Sequence, residues 1–356
     1  MDGYNFYTTD DGKLRNSDLN SVRAYSSTNF LSTAYRADPP VALAVYKNQI
    51  ICFGASSWEA FYDAANLTGS PLSRVAHVSS NYGAVNQRAI AELHDDIYYL
   101  TSSRYGNVSV VRLRNMKDEL VSTPQISNIL GAVSATGGQT YLSAFQLGGY
   151  NYISCSALTS SESIDLLLLE TGDGLLLENN DNISLENTGP EVSTFGRMLV
   201  YNVDLNLWSE WDSSQATFIT GGSGMVNQVL AASRVNTSGK IYTIRPTDSE
   251  VYIDDGTLYT MEIRTSKVDF GVDKRKFIRS ITLVADEQSS GTVTLECSDD
   301  DYVTWRTLGT FDLTNHKKRI NACGSHVGGR AYRLTHTENA PFRAEALEFE
   351  YDVGIS

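Results

Sequence analysis

Cysteine, methionine and proline are scarce in this 356-residue chain, with 4, 5 and 7 copies, and histidine appears 5 times. The cysteines, Cys52, Cys155, Cys297 and Cys323, are far apart and form no Cys-x-x-Cys pair. Neither a metal site nor a disulfide framework is expected, and no cofactor is implied. Cys52, Cys155 and Cys297 fall in strand-like runs, where a free thiol acts as a small buried hydrophobe, and folding under reducing conditions is expected. No run of about 18 apolar residues exists, so no membrane-spanning helix is expected. The acidic opening MDGYNFYTTDDGK has no apolar core segment and does not read as a signal peptide. There is no His-Glu-x-x-His, no phosphate-binding loop and no Gly-x-Gly-x-x-Gly after a strand. Positive charge is also short. Against 42 Asp and Glu there are 28 Lys and Arg, a net charge of −14, which disfavours general DNA binding because neutralising phosphate needs a basic surface.

What the chain does have is 20 Tyr, 27 Gly and many Ser, Thr and Asn, a composition that leans to β structure. Residues 41–130 set the pattern. Val41 to Tyr46, Ile50 to Phe53, Trp58 to Tyr62, Ile97 to Leu100 and Val108 to Leu113 are short apolar runs. They are closed by Lys47-Asn48-Gln49, Gly54, His94-Asp95-Asp96 and Tyr105-Gly106-Asn107. That alternation predicts an antiparallel meander, and four such strands make one propeller blade. Asn66 to Asn81 reads as a Gly-, Ser- and Pro-rich loop. Thr123-Pro124 opens the best helix candidate, with Thr123 as N-cap and Ile126, Ile129 and Leu130 on one face. Tyr141 to Leu147 and Tyr150 to Cys155 predict a hairpin about Gly148-Gly149. The meander resumes with Met198 to Val203, Leu207 to Trp211, Phe218-Ile219, Val229 to Ala232 and Lys240 to Ile244, separated by Gly221 to Gly224 and Asn236 to Gly239.

Between the two meanders stands a Leu-rich ladder, IDLLLLETGDGLLLENNDNISLENTGPE, in three near-copies that each end in Glu. It reads as a hairpin insert over about 160–192, without the alternating oxygen ligands of a calcium loop. Most of the acidic excess lies in 115–256, and Glu170, Asp173, Glu178, Asp181 and Glu186 of the ladder form a candidate acidic surface. After Asp254-Asp255-Gly256 the strands lengthen and alternate more cleanly, which predicts a β-sandwich of about a hundred residues. The expected division is therefore a propeller-like domain over 1–256 and a C-terminal sandwich over 257–356, all-β throughout.

Few residues point to chemistry. His94-Asp95-Asp96 has no Gly-x-Ser-x-Gly or other nucleophile motif beside it and reads as a polar corner. Ser298 to Trp305 resembles the Asp-box hairpin of sialidase-type propellers, with Tyr302 where that box has glycine. Such a box pins a turn and touches no substrate. The basic triplets Lys274-Arg275-Lys276 and Lys317-Lys318-Arg319 are solvated strand ends or, as candidate interaction surfaces, contacts to an acidic partner or to phosphate.

Taken together, these residues resemble the packaged-DNA stabilisation or tail-hub (nozzle) proteins of short-tailed bacteriophages. The resemblance rests on Ile51 to Gly54 with Trp58 to Phe61, on Gly83, on Tyr98 to Leu100 with Gly106 and Val110 to Leu113, and on Val121-Ser122-Thr123 with Ile126. Towards the end it rests on Phe270-Gly271, Lys276, the Ser298 to Trp305 hairpin, Arg330 and Arg333-Leu334. It implies a non-enzymatic virion protein, assembled in the host cytoplasm, in a propeller-built homohexamer below the portal and adaptor. Such a ring would continue the DNA channel, let DNA pass without holding it, and anchor tail fibres or spikes. The family carries a segment before the position of Met1, so an incomplete propeller, or one completed by another chain, is expected, and the ladder is no part of the family pattern. With a DNA channel implied, part of the acidic stretch 162–191 or 204–212 is expected to face the lumen, or the ladder carboxylates Glu170, Asp173, Glu178, Asp181 and Glu186 to form an adapter surface. The alternative is a carbohydrate-binding or glycan-degrading tail protein.

Overall fold

In a computed structural model, the structure describes all residues except 10, 34–35, 37, 67, 103–107, 136–138, 161–192, 212–215, 221–228, 234–239, 245–251, 255, 322 and 355–356. The predicted turns at 105–107, 221–224 and 236–239, and the Leu-rich ladder, lie outside the described residues. Backbone contacts divide the chain into Met1–Pro246 and Thr247–Ser356.

The first unit is a succession of antiparallel sheets, each made of consecutive strands. Sheet I holds Phe6–Thr9, Lys13–Asn16 and Phe30–Ser32. Sheet II holds Pro40–Tyr46, Gln49–Gly54, Trp58–Asp63 and Leu72–Ser80. Sheet III holds Ile90–Leu93, Asp96–Ser102, Val108–Arg114 and Lys117–Leu120. Sheet IV holds Gln139–Leu147, Tyr150–Ser160, Ser193–Asn202 and Leu207–Trp211. Sheet V holds Ala216–Thr220, Val229–Ser233 and Ile241–Ile244. Repeated four-stranded meanders are the building plan of a propeller. The two-residue loops Asn115-Met116 and Gly148-Gly149 have positive φ at both positions, the turn that matches the twist of paired strands.

Each sheet packs on the next. Successive residues of one strand point to opposite faces, so Ile50 and Cys52 join Leu14 of sheet I while Ile51 and Phe53 join Ile97, Tyr99 and Val111 of sheet III. Tyr98 and Leu100 face the other way, towards Leu142, Ile153, Cys155 and Leu199 of sheet IV. Phe145, Met198 and Val200 then meet Val229 on sheet V. All four cysteines are buried and unpaired, and burial pushes the Cys52 and Cys155 thiols up to about 12.

Helix α1, Pro124–Ala135, starts where the sequence predicts. Thr123 Oγ1 accepts from the Ile126 N–H at 3.4 Å, and Ile126 and Leu130 are buried between sheets III and IV. The expected loop over Asn66 to Asn81 is corrected. Leu72–Ser80 is the fourth strand of sheet II, and its register to Trp58–Asp63 jumps between Glu59 and Phe61, with His77 at φ 60°. A bulge there breaks the alternation that would mark a strand. At Gly83 a side chain has no room, because a Cβ would lie 2.3 Å from the Gly54 carbonyl oxygen and 2.4 Å from the Ser56 nitrogen. Asp38 holds the same turn by accepting from the Ser56 N–H at 2.7 Å and the Ser57 hydroxyl at 2.9 Å.

The second unit has two four-stranded sheets. In sheet A the order is Met261–Arg264, Ala331–His336, Thr292–Ser298, Arg306–Asp312. In sheet B the long strand Lys276–Ala285 pairs with Lys318–Asn321, Ser325–His326 and Ala344–Val353. Ile278, Ile281 and Leu283 of sheet B share a core with Val293, Leu295, Phe311 and Leu334 of sheet A, the sandwich arrangement.

One polar tie crosses from sheet II to sheet III. The Asp118 carboxylate accepts from Trp58 Nε1 at 3.1 Å and from the Tyr99 hydroxyl at 2.8 Å. Removing the acceptor strands two donors, Trp58 at 1% and Tyr99 at 0% exposure. Asp118→Ala should therefore lower stability to urea by about 2–3 kcal/mol, and Asp118→Asn, which keeps an acceptor oxygen, by under about 1.5 kcal/mol. Equal losses in the two variants would contradict a shared acceptor.

Candidate interaction surfaces

The basic triplets do not form one patch. Lys276 opens the long strand of sheet B, whereas Lys318 pairs with Leu283 seven residues further on, a separation of about 23 Å along the strand. The middle or last lysine of each triplet also points inward. Lys276 is fully buried, and its Nζ donates to the carbonyls of Asp269 (3.3 Å), Val272 (2.6 Å) and Gly328 (3.1 Å). Lys318 is buried too, and its Nζ donates to Ala285 O (3.2 Å) and Asn315 O (3.0 Å). Alternation along a strand explains both, because every second residue faces the core. These two ammonium groups fasten loops and offer nothing to a partner. Arg319 is exposed and paired with Glu350 at 2.5 Å, and Arg275 donates to the Ser325 hydroxyl at 3.2 Å. Lys274 and Lys317 are exposed, and among the described residues neither pairs with a carboxylate.

Glu170, Asp173, Glu178, Asp181 and Glu186 lie outside the described residues. Elsewhere in the acidic region 115–256, Asp204 is exposed and accepts from the Asn151 N–H at 2.7 Å, and Glu210 is exposed.

The corner His94-Asp95-Asp96 lines a cleft of about 450 Å³ where hairpin turns of sheets II, III and IV converge, with Lys47, Arg114 and Asn151. Asp96 is held by Arg114, at 3.0 and 3.1 Å from Nε, and by Arg112 at 3.4 Å. His94 Nε2 is 3.0 Å from Asn151 Oδ1. The carboxylate is committed to two guanidinium groups and is not placed to orient the imidazole.

The Ser298 to Trp305 hairpin is pinned as its residues imply. Asp300 Oδ1 accepts from the Ser298 hydroxyl (2.8 Å) and the Thr304 N–H (2.9 Å), and Ser298 Oγ accepts from the Tyr302 N–H (3.1 Å). Hydrogen bonds from Thr304 and Ser298 hold the Asp300 carboxyl down to about 2. Tyr302, at φ 70°, takes the left-handed conformation that glycine would take. Trp305 is half-buried beneath Arg333, whose guanidinium lies 4.4 Å from the ring centroid.

Behind this hairpin is a group of buried cations that sequence reasoning did not separate from the surface ones. Arg330, 1% exposed, donates to both Asp299 oxygens (2.7 and 2.9 Å) and to the carbonyls of Cys323 (3.2 Å) and Ser325 (3.0 Å). The guanidinium keeps the Asp299 carboxyl below its usual range. His326 is opposite Lys276 in the strand register and buried, and burial, then Arg330 and Lys276, lower its pKa to about 4.

A second cleft, of about 400 Å³, opens in the second unit between the hairpin Ile253–Asp254/Thr257–Leu258 and the 338–343 loop. Tyr252, Tyr259, Met261 and Phe342 line it, with Asp286, Gln288, Glu338 and Arg343. Its only trace in the sequence is a pair of tyrosines flanking the Asp254-Asp255-Gly256 turn.

Residues 1–144 match the family described as Bacteriophage P22 Gp10, beta-propeller. A search of curated proteins returned no match. Among solved structures, the exo-beta-1,3-galactanase of Phanerochaete chrysosporium with galactose is 10% identical, with 93% of this chain and 72% of that chain covered and a TM-score of 0.25. The same enzyme with beta-1,3-galactotriose is also 10% identical, with 98% and 76% covered and a TM-score of 0.27. Likenesses of that size carry no argument about function.

Two outcomes test the placement of the cations. Lys276→Met leaves three carbonyls without a donor and should cost about 3 kcal/mol in urea unfolding, while Lys274→Ala should change stability by less than about 0.5 kcal/mol. Comparable losses would mean that Lys276 is not the fastener. Because the folded pKa of His326 is below that of the free side chain, near 6.5, its contribution is present above that value and lost as pH falls towards about 4. The thermal midpoint of the second unit should therefore drop across pH 6.5 to 4, and His326→Phe should flatten that drop. An unchanged slope in His326→Phe would assign the acid sensitivity elsewhere.

Proposed function

We propose that this chain is a structural subunit of a short-tailed phage virion. In this reading it is one member of a ring, a homohexamer, below the portal and adaptor, where it continues the DNA channel and anchors tail fibres or spikes. The observation that carries the reading is the match of residues 1–144 to the P22 Gp10 beta-propeller family, over the stretch that builds sheets I to III and α1. Sheets stacked face to face make a stiff body with turns and edges left for neighbours, which suits a protein that works by shape. The charge supports it as well. A conduit must not hold DNA, and a net charge of −14 gives a wall that repels phosphate. In this reading part of the acidic stretch 162–191 or 204–212 belongs to that wall. No bond-making or bond-breaking step is assigned to the chain.

Cryo-electron microscopy of intact particles tests the proposal. The expected map has a ring of this chain in the tail, around the DNA path, with carboxylates of 162–191 or 204–212 towards the lumen. A particle that lacks the chain would overturn the reading, and carboxylates confined to the outer rim would overturn the lumen assignment.

A further inference from the structure

We propose that the cleft beside Tyr259 in the second unit is a binding site for a neutral carbohydrate. The inference is independent of the virion reading, which stands or falls on particle composition.

The cleft combines what a sugar needs. Tyr259 is 47% and Met261 36% exposed, and Tyr252 and Phe342 are half-buried beside them. Exposed aromatic and thioether surface in a concavity gives a platform for the C–H face of a pyranose, because the π face is negative and the C–H edge positive. Around it stand Asp286, Gln288, Glu338 and Arg343. Carboxylates accept, guanidinium donates and the amide does both, the mixture that matches hydroxyls able to do either. Arg343 is only loosely held, 3.9 Å from Asp286 and 3.6 Å from Glu345, and remains exposed. With two carboxylates against one guanidinium at the rim, an anionic ligand has no advantage. A volume of about 400 Å³ is at the small-ligand scale.

The walls are also fixed before any ligand arrives. The Tyr252 N–H donates to Asn339 Oδ1 at 2.5 Å, which clips the hairpin to the 338–343 loop. Beneath, the buried His336 ring places Nδ1 2.8 Å from Thr292 O and Nε2 2.9 Å from Ala340 O. Glu338 is tied to the Thr292 hydroxyl. A site already braced in this way loses less on binding than one that must order itself. A shallow depression between a turn and a loop needs neither the exposed tyrosine platform nor this bracing.

The experiment is saturation-transfer difference NMR on the full chain with lactose, maltose and cellobiose, and with tetralysine as the contrasting probe. At least one disaccharide should receive saturation on the C–H protons of one ring face. Tyr259→Ala should weaken that binding about fivefold or more. Tyr259→Phe, which keeps the ring, should retain it, as should Tyr150→Ala, which removes an exposed tyrosine of the first unit. Three outcomes would each overturn the proposal: no transfer to any of the three sugars, transfer unchanged in Tyr259→Ala, or binding of tetralysine alone, which would make the cleft a docking point for a basic peptide.

Discussion

The first unit depends on strands that are buried on both faces. Within Gln49–Gly54, five successive residues from Ile50 to Gly54 are buried, and within Asp96–Ser102 the six from Asp96 to Thr101 are buried. Such a strand cannot be covered by one partner sheet. Ile51 and Phe53 need sheet III and Ile50 and Cys52 need sheet I, so each sheet exists because its neighbours do. A slip of one residue would exchange the two cores and put every side chain against the wrong neighbour. One charged exception is anchored by an ion pair. Glu59, inside the run from Trp58 to Phe61, is 2% exposed and meets Arg74 at 2.7 Å.

The second unit solves a different problem with charge. Its loops between 269 and 272 and between 323 and 330 have carbonyls turned inward, and buried cations satisfy them. Lys276 takes three such carbonyls, and Arg330 takes two while also neutralising Asp299. A buried charge is tolerated when it is paired and hydrogen-bonded; Lys276 places all three of its N–H donors and Arg330 four of its five. The neutral His326 between them shows the other side of the rule, since a third positive charge there is disfavoured by burial and by both neighbours.

Much of this was legible from residue order. Two-sided strands are continuous apolar runs, and both the runs at Ile50 to Phe53 and Tyr98 to Leu100 and the cap at Thr123-Pro124 declare their elements. Leu72–Ser80 was hidden because its bulge breaks the period of two, and Lys117–Leu120, KDEL, because an edge strand can be polar on both faces. The basic triplets look alike as sequence but not in space. Which lysine of Lys274-Arg275-Lys276 turns inward depends on the strand register, and the carbonyls it meets come from residues up to 52 positions away. The tyrosine-lined cleft gathers residues from 252 to 343, a juxtaposition no local pattern carries.

The family match of residues 1–144 falls on this scaffold of mutually dependent sheets. Native-state hydrogen exchange on the intact chain tests the mutual dependence most directly. The account predicts that amides of Gln49–Gly54, Asp96–Ser102 and Tyr150–Cys155 exchange through one common opening, with the same free energy and the same denaturant dependence. Separate openings, with sheet II exchanging freely while sheets III and IV stay closed, would contradict it.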